Sequence, residues 1–447
     1  MNKLTISCIL PAVLSLLFSF CSNSTVEKSL HDSVKKHLPF DSLFIATQNK
    51  KQGLIDRNGN VILPFVFDKI YSTKIYPSMD IQYMFVEKNK KAGLIDSSGR
   101  LIIDTMYQSL DNIVGDTIYE AMLNGKKGLL KQNGQILVPF KYDEFSEDWI
   151  NGKAYYKQDQ NFGFVNLKGE IIPGKFQTED EAKTALYDEL PDTTIFDYHD
   201  NRAKVYIKSK EQGGGYLDRK RNWAIPPAYK WAEDFSEELA AVSQDGNSWF
   251  YIDTSGRKII AGTFRQASSF ADGVAYVNYD SLINKKGEVI ATTTFFIIKY
   301  DPQNKLFWIE GDAHPGPFGY MDLNGKLVVD PNRYDDLLPP SEGMIPVCRY
   351  IHNLDNPSST HDKEWGFLNI EGKIIIQTIY EEAQSFSNGL AAVKKNGKWG
   401  FIDKTGKIII PFEYDGATSF DRGLARVFKN GKMAYIDTTG KIIWQEK

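Results

Sequence analysis

The sequence predicts an all-β fold of tandem three-stranded β-meanders, about eleven copies of about 34 residues each, with one or two short helical insertions. Three observations predict it. A motif of about a dozen residues returns at a fixed offset near the C-terminus, and a glycine recurs at one turn position along the chain. Short apolar runs rich in Ile, Val, Phe and Tyr alternate with turn residues throughout. With 447 residues, 42% of them hydrophobic, the chain has enough apolar surface to bury a large core. A repeat array spreads that core along one dimension.

The first twenty residues read as a secretory signal. Lys3 is their only charge, and residues 4–20 form an uncharged run interrupted by Pro11. That length is marginal for a membrane span. Cys21, preceded by Leu17-Phe18-Ser19-Phe20, resembles the lipidated cysteine of a bacterial lipoprotein, and Ser22-Asn23-Ser24-Thr25 fits a polar tether. Phe20 departs from the small residue usual before that cysteine, and cleavage after Ser24 is the alternative. Both routes predict export. Residues 21–44 are expected to hold the tether and a capping helix, from the i, i+4 spacing of Val26, Leu30, Val34 and Leu38.

The repeats follow, four over residues 45–177 and seven over 201–447. Trp365-Gly366-Phe367-Leu368-Asn369, then Gly372 and Ile374-Ile375-Ile376, return 34 residues later as Trp399-Gly400-Phe401-Ile402-Asp403, Gly406 and Ile408-Ile409-Ile410. They return again over 433–443. Phe386-Ser387-Asn388-Gly389-Leu390 likewise matches Phe420-Asp421-Arg422-Gly423-Leu424. Upstream the turn glycine is Gly325, Gly287, Gly256, Gly169, Gly134, Gly99 and Gly59, with Asn222 in that place in one degenerate copy. Asp or Asn first and Gly fourth mark a type I turn with a glycine bulge. Asn430-Gly431 marks the other hairpin. About ten residues, such as 412–420, are expected to connect one unit to the next, and Pro64, Pro139 and Pro411 to stop pairing. The isoleucines, Phe and Tyr are expected to fill a core shared between units. The array is either an open β-solenoid or superhelix, or a propeller-like ring. Eleven units exceed the usual blade number, which favours an open or subdivided array.

Two insertions interrupt the repeats. Residues 178–200 open with Thr178-Glu179-Asp180-Glu181, a capping box, and predict a short helix ended by Pro191. Residues 348–363 read as a loop, polar and Pro-containing, at an enlarged hairpin tip.

These residues resemble the bacterial WG-repeat family, whose units run near Trp-Gly-Phe/Tyr-Ile-Asp, a turn glycine, Ile/Val-Ile/Val-Pro and Tyr/Phe-Asp. The resemblance covers roughly residues 45–447. The name-giving pair stands only at Trp365-Gly366 and Trp399-Gly400. Elsewhere the glycine follows Gln52, Ala92, Lys127, Phe162, Gly214 or Phe318, and Trp249 precedes Phe250. The resemblance implies a repeat scaffold and transfers no catalytic residue.

The remaining chemistry narrows the function. Asp56, Asp96, Asp218, Asp253, Asp322, Asp403 and Asp437 each start a glycine turn, where Asn166, Asn284 and Asn369 substitute, so they read as turn caps and not as metal ligands or acid–base pairs. Cys348, His352 and His361 with Asp355 or Asp362 match no strong metal spacing. Nucleophile-elbow, phosphate-loop and zinc-protease motifs are absent, and Gly213-Gly214-Gly215 reads as a turn. The formal net charge is −4, and Lys and Arg are evenly spread, which speaks against nucleic acid. Cys8 and Cys21 lie in the leader region, so Cys348 alone remains in the body.

The expected function is a non-catalytic extracytoplasmic scaffold in the bacterial cell envelope. It would be lipid-anchored at Cys21, or otherwise periplasmic or secreted, and would present an extended surface to protein partners. The alternative is a polysaccharide- or peptidoglycan-binding module using repeated Tyr and Trp. An enzyme with a site on the insertion loops ranks last. No cofactor, metal or nucleic-acid partner is expected, and membrane contact only through the N-terminal lipid.

Overall fold

In the computed structural model, the residues described are 42–447 apart from 72–82, 115–116, 148, 150–151, 189–192, 208–209, 211–212, 312–316 and 352–361. The signal, Cys21 and the capping helix expected over Val26–Leu38 lie outside them. The described residues form eleven antiparallel sheets in chain order, nine of four strands and two, the first and seventh, of three. Each sheet is a simple up-and-down ladder with two edges, so none is a closed barrel.

The tenth sheet shows how a unit is made. Its strands are Glu382–Ala383, Leu390–Lys395, Lys398–Asp403 and Ile408–Tyr414, paired in that order. The hairpin between the second and third strands turns at Asn396 and Gly397, both with positive φ. The turn between the third and fourth closes with Gly406 N–H donating to the Asp403 carbonyl at 2.9 Å, and Gly406 stands at φ +86°. The expected meander is thus present, with one correction. Part of the expected connection is a short first strand, so the usual unit has four strands. In the eleventh sheet that strand is Gly416–Ala417.

Three further expectations are corrected. Pro64, Pro139 and Pro411 do not end a strand. They lie inside Val61–Phe67, Ile136–Tyr142 and Ile408–Tyr414. Between the pairs Trp399↔Tyr414 and Phe401↔Ile410, Gly400 faces three residues, Pro411, Phe412 and Glu413. A proline in such a bulge withholds no ladder hydrogen bond. In the degenerate copy the left-handed turn residue is Arg221, at φ +63°, whose N–H donates to the Asp218 carbonyl; Asn222 is the residue after it. The first insertion is also shorter than 178–200. Its helix is Glu179–Asp188, capped as expected by Glu181 N–H donating to Thr178 Oγ1 at 3.2 Å and Gln177 N–H to Glu181 Oε2 at 2.9 Å. Residues Thr193–His199 are already the first strand of the fifth sheet.

The chain divides into two compact units. One is Met1–Leu186 with Glu446–Lys447, which holds the first four sheets, and the other is Tyr187–Gln445, which holds the remaining seven. Within each, the core lies in the seams between successive sheets. In one seam Trp399, Phe401, Ile410 and Tyr414 of the tenth sheet meet Ala425, Val427, Ala434 and Ile436 of the eleventh. In the seam before it, Trp365, Phe367, Ile376 and Tyr380 meet Ala391, Val393 and Ile402. In these two seams a face of large residues meets a face of mostly smaller ones, the complementarity that close packing requires. Burying a side chain such as Phe401, fully enclosed, contributes about 1.5–3 kcal/mol.

Candidate functional site

The carboxylates that open the glycine turns are bound into the backbone. Asp403 Oδ1 accepts from Thr405 N at 2.9 Å, Thr405 Oγ1 at 2.6 Å and Lys407 N at 3.0 Å. The Thr405 hydroxyl and the two N–H groups hold its pKa below the ordinary carboxylate value. The Asn222 and Lys220 N–H groups do the same for Asp218. Asn166 takes the same bonds through Oδ1, from Lys168 N and Glu170 N, both at 3.0 Å. What the turn uses is an acceptor oxygen, which either side chain supplies.

A second carboxylate follows the buried aromatic residue that ends the last strand, Tyr414, Tyr142 or Phe67, and clamps the next sheet. Asp415 accepts from Lys398 Nζ, at the start of the tenth sheet's third strand, and from Asn430 N–H, at 2.7 Å, in a hairpin of the eleventh sheet. Asp143 does this with Lys126 and Asp159 N–H, and Asp68 with Lys51 and Asn89 N–H. The sequence offered only the Tyr-Asp pair as a signal. The partner hairpin, 15 to 21 residues downstream, shows only in space.

In the second unit, a polar ladder also joins the tight turns that precede the second strands. Glu237 accepts Gly273 N–H at 3.2 Å, Glu342 accepts Gly389 N–H at 3.0 Å, and Asn388 accepts Gly423 N–H at 2.6 Å. Lys285 pairs with Glu237 at 2.9 Å and Lys404 with Glu342 at 3.3 Å.

The glycine of the Trp-Gly pair has a packing reason. A Cβ on Gly400 would lie 2.8 Å from the Ile410 carbonyl oxygen and 2.9 Å from Phe412 Cδ1, where the bulged fourth strand leans over it. Gly53, Gly93, Gly128, Gly163, Gly215, Gly319 and Gly366 meet the corresponding carbonyl at 2.3–2.8 Å. The sixth sheet reverses the arrangement. Phe250 stands in the glycine's place and Gly262 in that of Phe412, so the bulky side chain has changed strands.

Most of the aromatic residues of the repeats belong to the core. Tyr119, Tyr142, Tyr216, Tyr251 and Tyr320 are fully enclosed, and Trp365, Trp399 and Trp444 are buried. The repeated Tyr and Trp therefore do not form the exposed row that the glycan-binding alternative requires. Cys348 is buried in the seam beside Trp365, and burial pushes its thiol up to about 11. His352, Asp355 and His361 lie outside the described residues, and the side chain of Asp362 is likewise not described. The described residues contain no group of three or more His, Cys, Asp or Glu side chains placed to hold a metal.

What does repeat on the surface is aliphatic. Of the three isoleucines after the turn, only the third is buried. Ile410 is 2% exposed while Ile408 is 51% exposed, because the fourth strand is the open edge of its sheet. This corrects the expectation that the whole run is core. The residue at the Ile408 position is exposed at Val61 and Ile136 in the first unit, and at Trp223, Val289, Leu327 and Ile442 in the second. Each pairs with the residue just before the turn Asp or Asn, or with Leu130 before Lys131, and so occupies one register position.

The WG-containing repeat pattern matches residues 53–74, 128–161, 215–247, 249–282, 318–349, 365–399 and 399–432. This chain belongs to the WG-repeat family. In this WG-repeat protein every signature position now has a structural role, whether as buried aromatic, bulge glycine, turn cap, left-handed turn, bulge proline or inter-sheet clamp. No curated protein matches the chain in sequence. Among solved structures it is similar to a eukaryotic initiation factor, at 10% identity over 82% of this chain and 96% of that one, with a TM-score of 0.29. It is similar too to the WD40 β-propeller domain of Doa1, at 11% identity over 47% and 66%, TM-score 0.21. A third is PorZ, a surface component of the type-IX secretion system of Porphyromonas gingivalis, at 11% identity over 92% and 68%, TM-score 0.18. Scores of this size do not establish a shared overall arrangement.

Proposed function

We propose that this WG-repeat protein is a non-catalytic extracytoplasmic scaffold that binds protein partners along its repeated open edges. One observation carries the reading: a branched aliphatic or aromatic side chain is exposed at the same register position in most of the sheets. Single exposed apolar residues are ordinary, but one recurring at a fixed position offers a partner the same contact at each step. The carboxylates that invite a catalytic reading are already committed to turns and clamps, which supports a scaffold over an enzyme. Export through the first twenty residues and anchoring through Cys21 belong to the same proposal.

The test uses the full chain expressed in its source organism, with a photo-crosslinking amino acid in place of Ile408 or Ile442. Reproducible crosslinks to one envelope protein are expected, and Ile408→Glu combined with Ile442→Glu should abolish co-purification of that protein while leaving the melting temperature unchanged. Crosslinks scattered over abundant proteins, or co-purification that survives the double substitution, would count against the edge as the docking surface. Labelling with an alkyne fatty acid tests the anchor: the wild-type chain should take it up and Cys21→Ala should not.

A further inference from the structure

One part of the surface gathers aromatic side chains from two successive sheets. In the fifth sheet the first strand, Thr193–His199, is seven residues long where the tenth and eleventh sheets have two. A bulge between Ile195 and Tyr198 displaces the ladder at Phe196. On the neighbouring strand Arg202–Ile207, Lys204 and Tyr206 lie two residues apart and so on one face. The first strand of the sixth sheet, Trp231–Ala232, brings Trp231 beside them.

The rings of Phe196 and Tyr206 are 6.4 Å apart and those of Tyr206 and Trp231 6.5 Å, both edge to face. Phe196 is 43% and Trp231 51% exposed. Tyr206 is held still, because its hydroxyl accepts Ala232 N–H at 2.7 Å. Lys204 Nζ sits 4.9 Å from the Phe196 ring centre and 3.3 Å from Asp234 Oδ2. Asp234 Oδ1 is shut from solvent and has no hydrogen-bond partner in the described protein.

We propose that Phe196, Tyr206 and Trp231, with Lys204 and Asp234, form a binding site for a neutral sugar ring of an oligosaccharide. A pyranose has an apolar C–H face, which suits the exposed indole, and an edge of adjacent hydroxyls, each both donor and acceptor. The Lys204–Asp234 pair offers one donor and, through Oδ2, one acceptor side by side. A proline-rich peptide would also stack on these rings, but it brings few donors for the carboxylate. The nearby ammonium disfavours a cationic ligand. The site stands apart from the edge residues of the scaffold reading, and each can fail without the other.

The experiment titrates the full chain with cellohexaose, chitohexaose, mannohexaose and xylohexaose, read by calorimetry and tryptophan fluorescence. At least one sugar should bind and shift the emission. Trp231→Ala should weaken it about tenfold or more, and Asp234→Asn by a similar factor. Tyr279→Ala, an exposed aromatic residue outside both the cluster and the repeated edge, should leave affinity within about twofold, and all three variants should keep the wild-type melting temperature. Absence of binding to all four sugars at about 10 mM, a fragment-like affinity of only about 3 kcal/mol, overturns the proposal. So does binding that persists in a folded Trp231→Ala variant. Binding of decaproline alone, lost in Trp231→Ala, would reassign the rings to peptide recognition.

Discussion

At the scale of single residues, Asp and Asn are interchangeable where the acceptor oxygen is what counts. Asp96 shows it well, since its side chain is largely covered and its Oδ1 accepts from Ser98 N, Ser98 Oγ and Arg100 N. Asp96→Ala should cost on the order of 1 kcal/mol or more by leaving those N–H groups without their acceptor, and Asp96→Asn clearly less, as thermal melts of the two variants would show. Equal losses would mean that charge, not the acceptor, holds the turn. Cys348 makes the opposite point. A thiol raised to about 11 reacts slowly at neutral pH, so the folded chain should resist iodoacetamide at Cys348 until it is unfolded.

At the scale of the element, the bulge couples two strands through one small residue. Gly400→Ala puts a Cβ against backbone, where the contact cannot be relieved by rotating a side chain, and should destabilise by about 1–3 kcal/mol. The exchanged pair in the sixth sheet gives a sharper test. Phe250→Gly alone leaves an unfilled bulge and should lower stability by about 2 kcal/mol or more. Adding Gly262→Phe returns a bulky ring from the opposite strand, so the double variant should be more stable than the sum of the singles. Strict additivity in denaturant melts would mean that the two positions do not share the space.

At the scale of the whole molecule, the same carboxylate device repeats along the chain, so small effects accumulate. Asp56, Asp96, Asp218, Asp403, Asp415 and Asp437 all have folded pKa values below the ordinary 3.8. A lowered folded value stabilises the fold above the unfolded pKa, and that stability is lost as pH falls through the folded one. The melting temperature should therefore be nearly level from about pH 8 to 5 and fall steeply below about pH 4. A maximum near pH 4 would show that other groups dominate.

Much of this protein could be read from the chain alone. The periodic turn glycine, the Asx residue three places before it and the Asn-Gly hairpins are local signals, because a turn is decided by the φ that its own residues tolerate. They located the three-stranded meander of the repeats and the helix cap at Thr178, but not the short first strand of most sheets or the turn residue Arg221. The family signature followed from the same spacing. Other features depend on what lies across a seam or a ladder, which periodicity does not encode. The run Ile408-Ile409-Ile410 is uniformly apolar, and only its place at a sheet edge divides it into exposed and buried. Pro411 reads as a strand end until Gly400 is seen opposite it. Asp415 finds its hairpin, and Phe196, Tyr206 and Trp231 find one another, only when separate strands are stacked. Local backbone preference is written in neighbouring residues, whereas which side chains meet is settled by packing between residues distant in the chain.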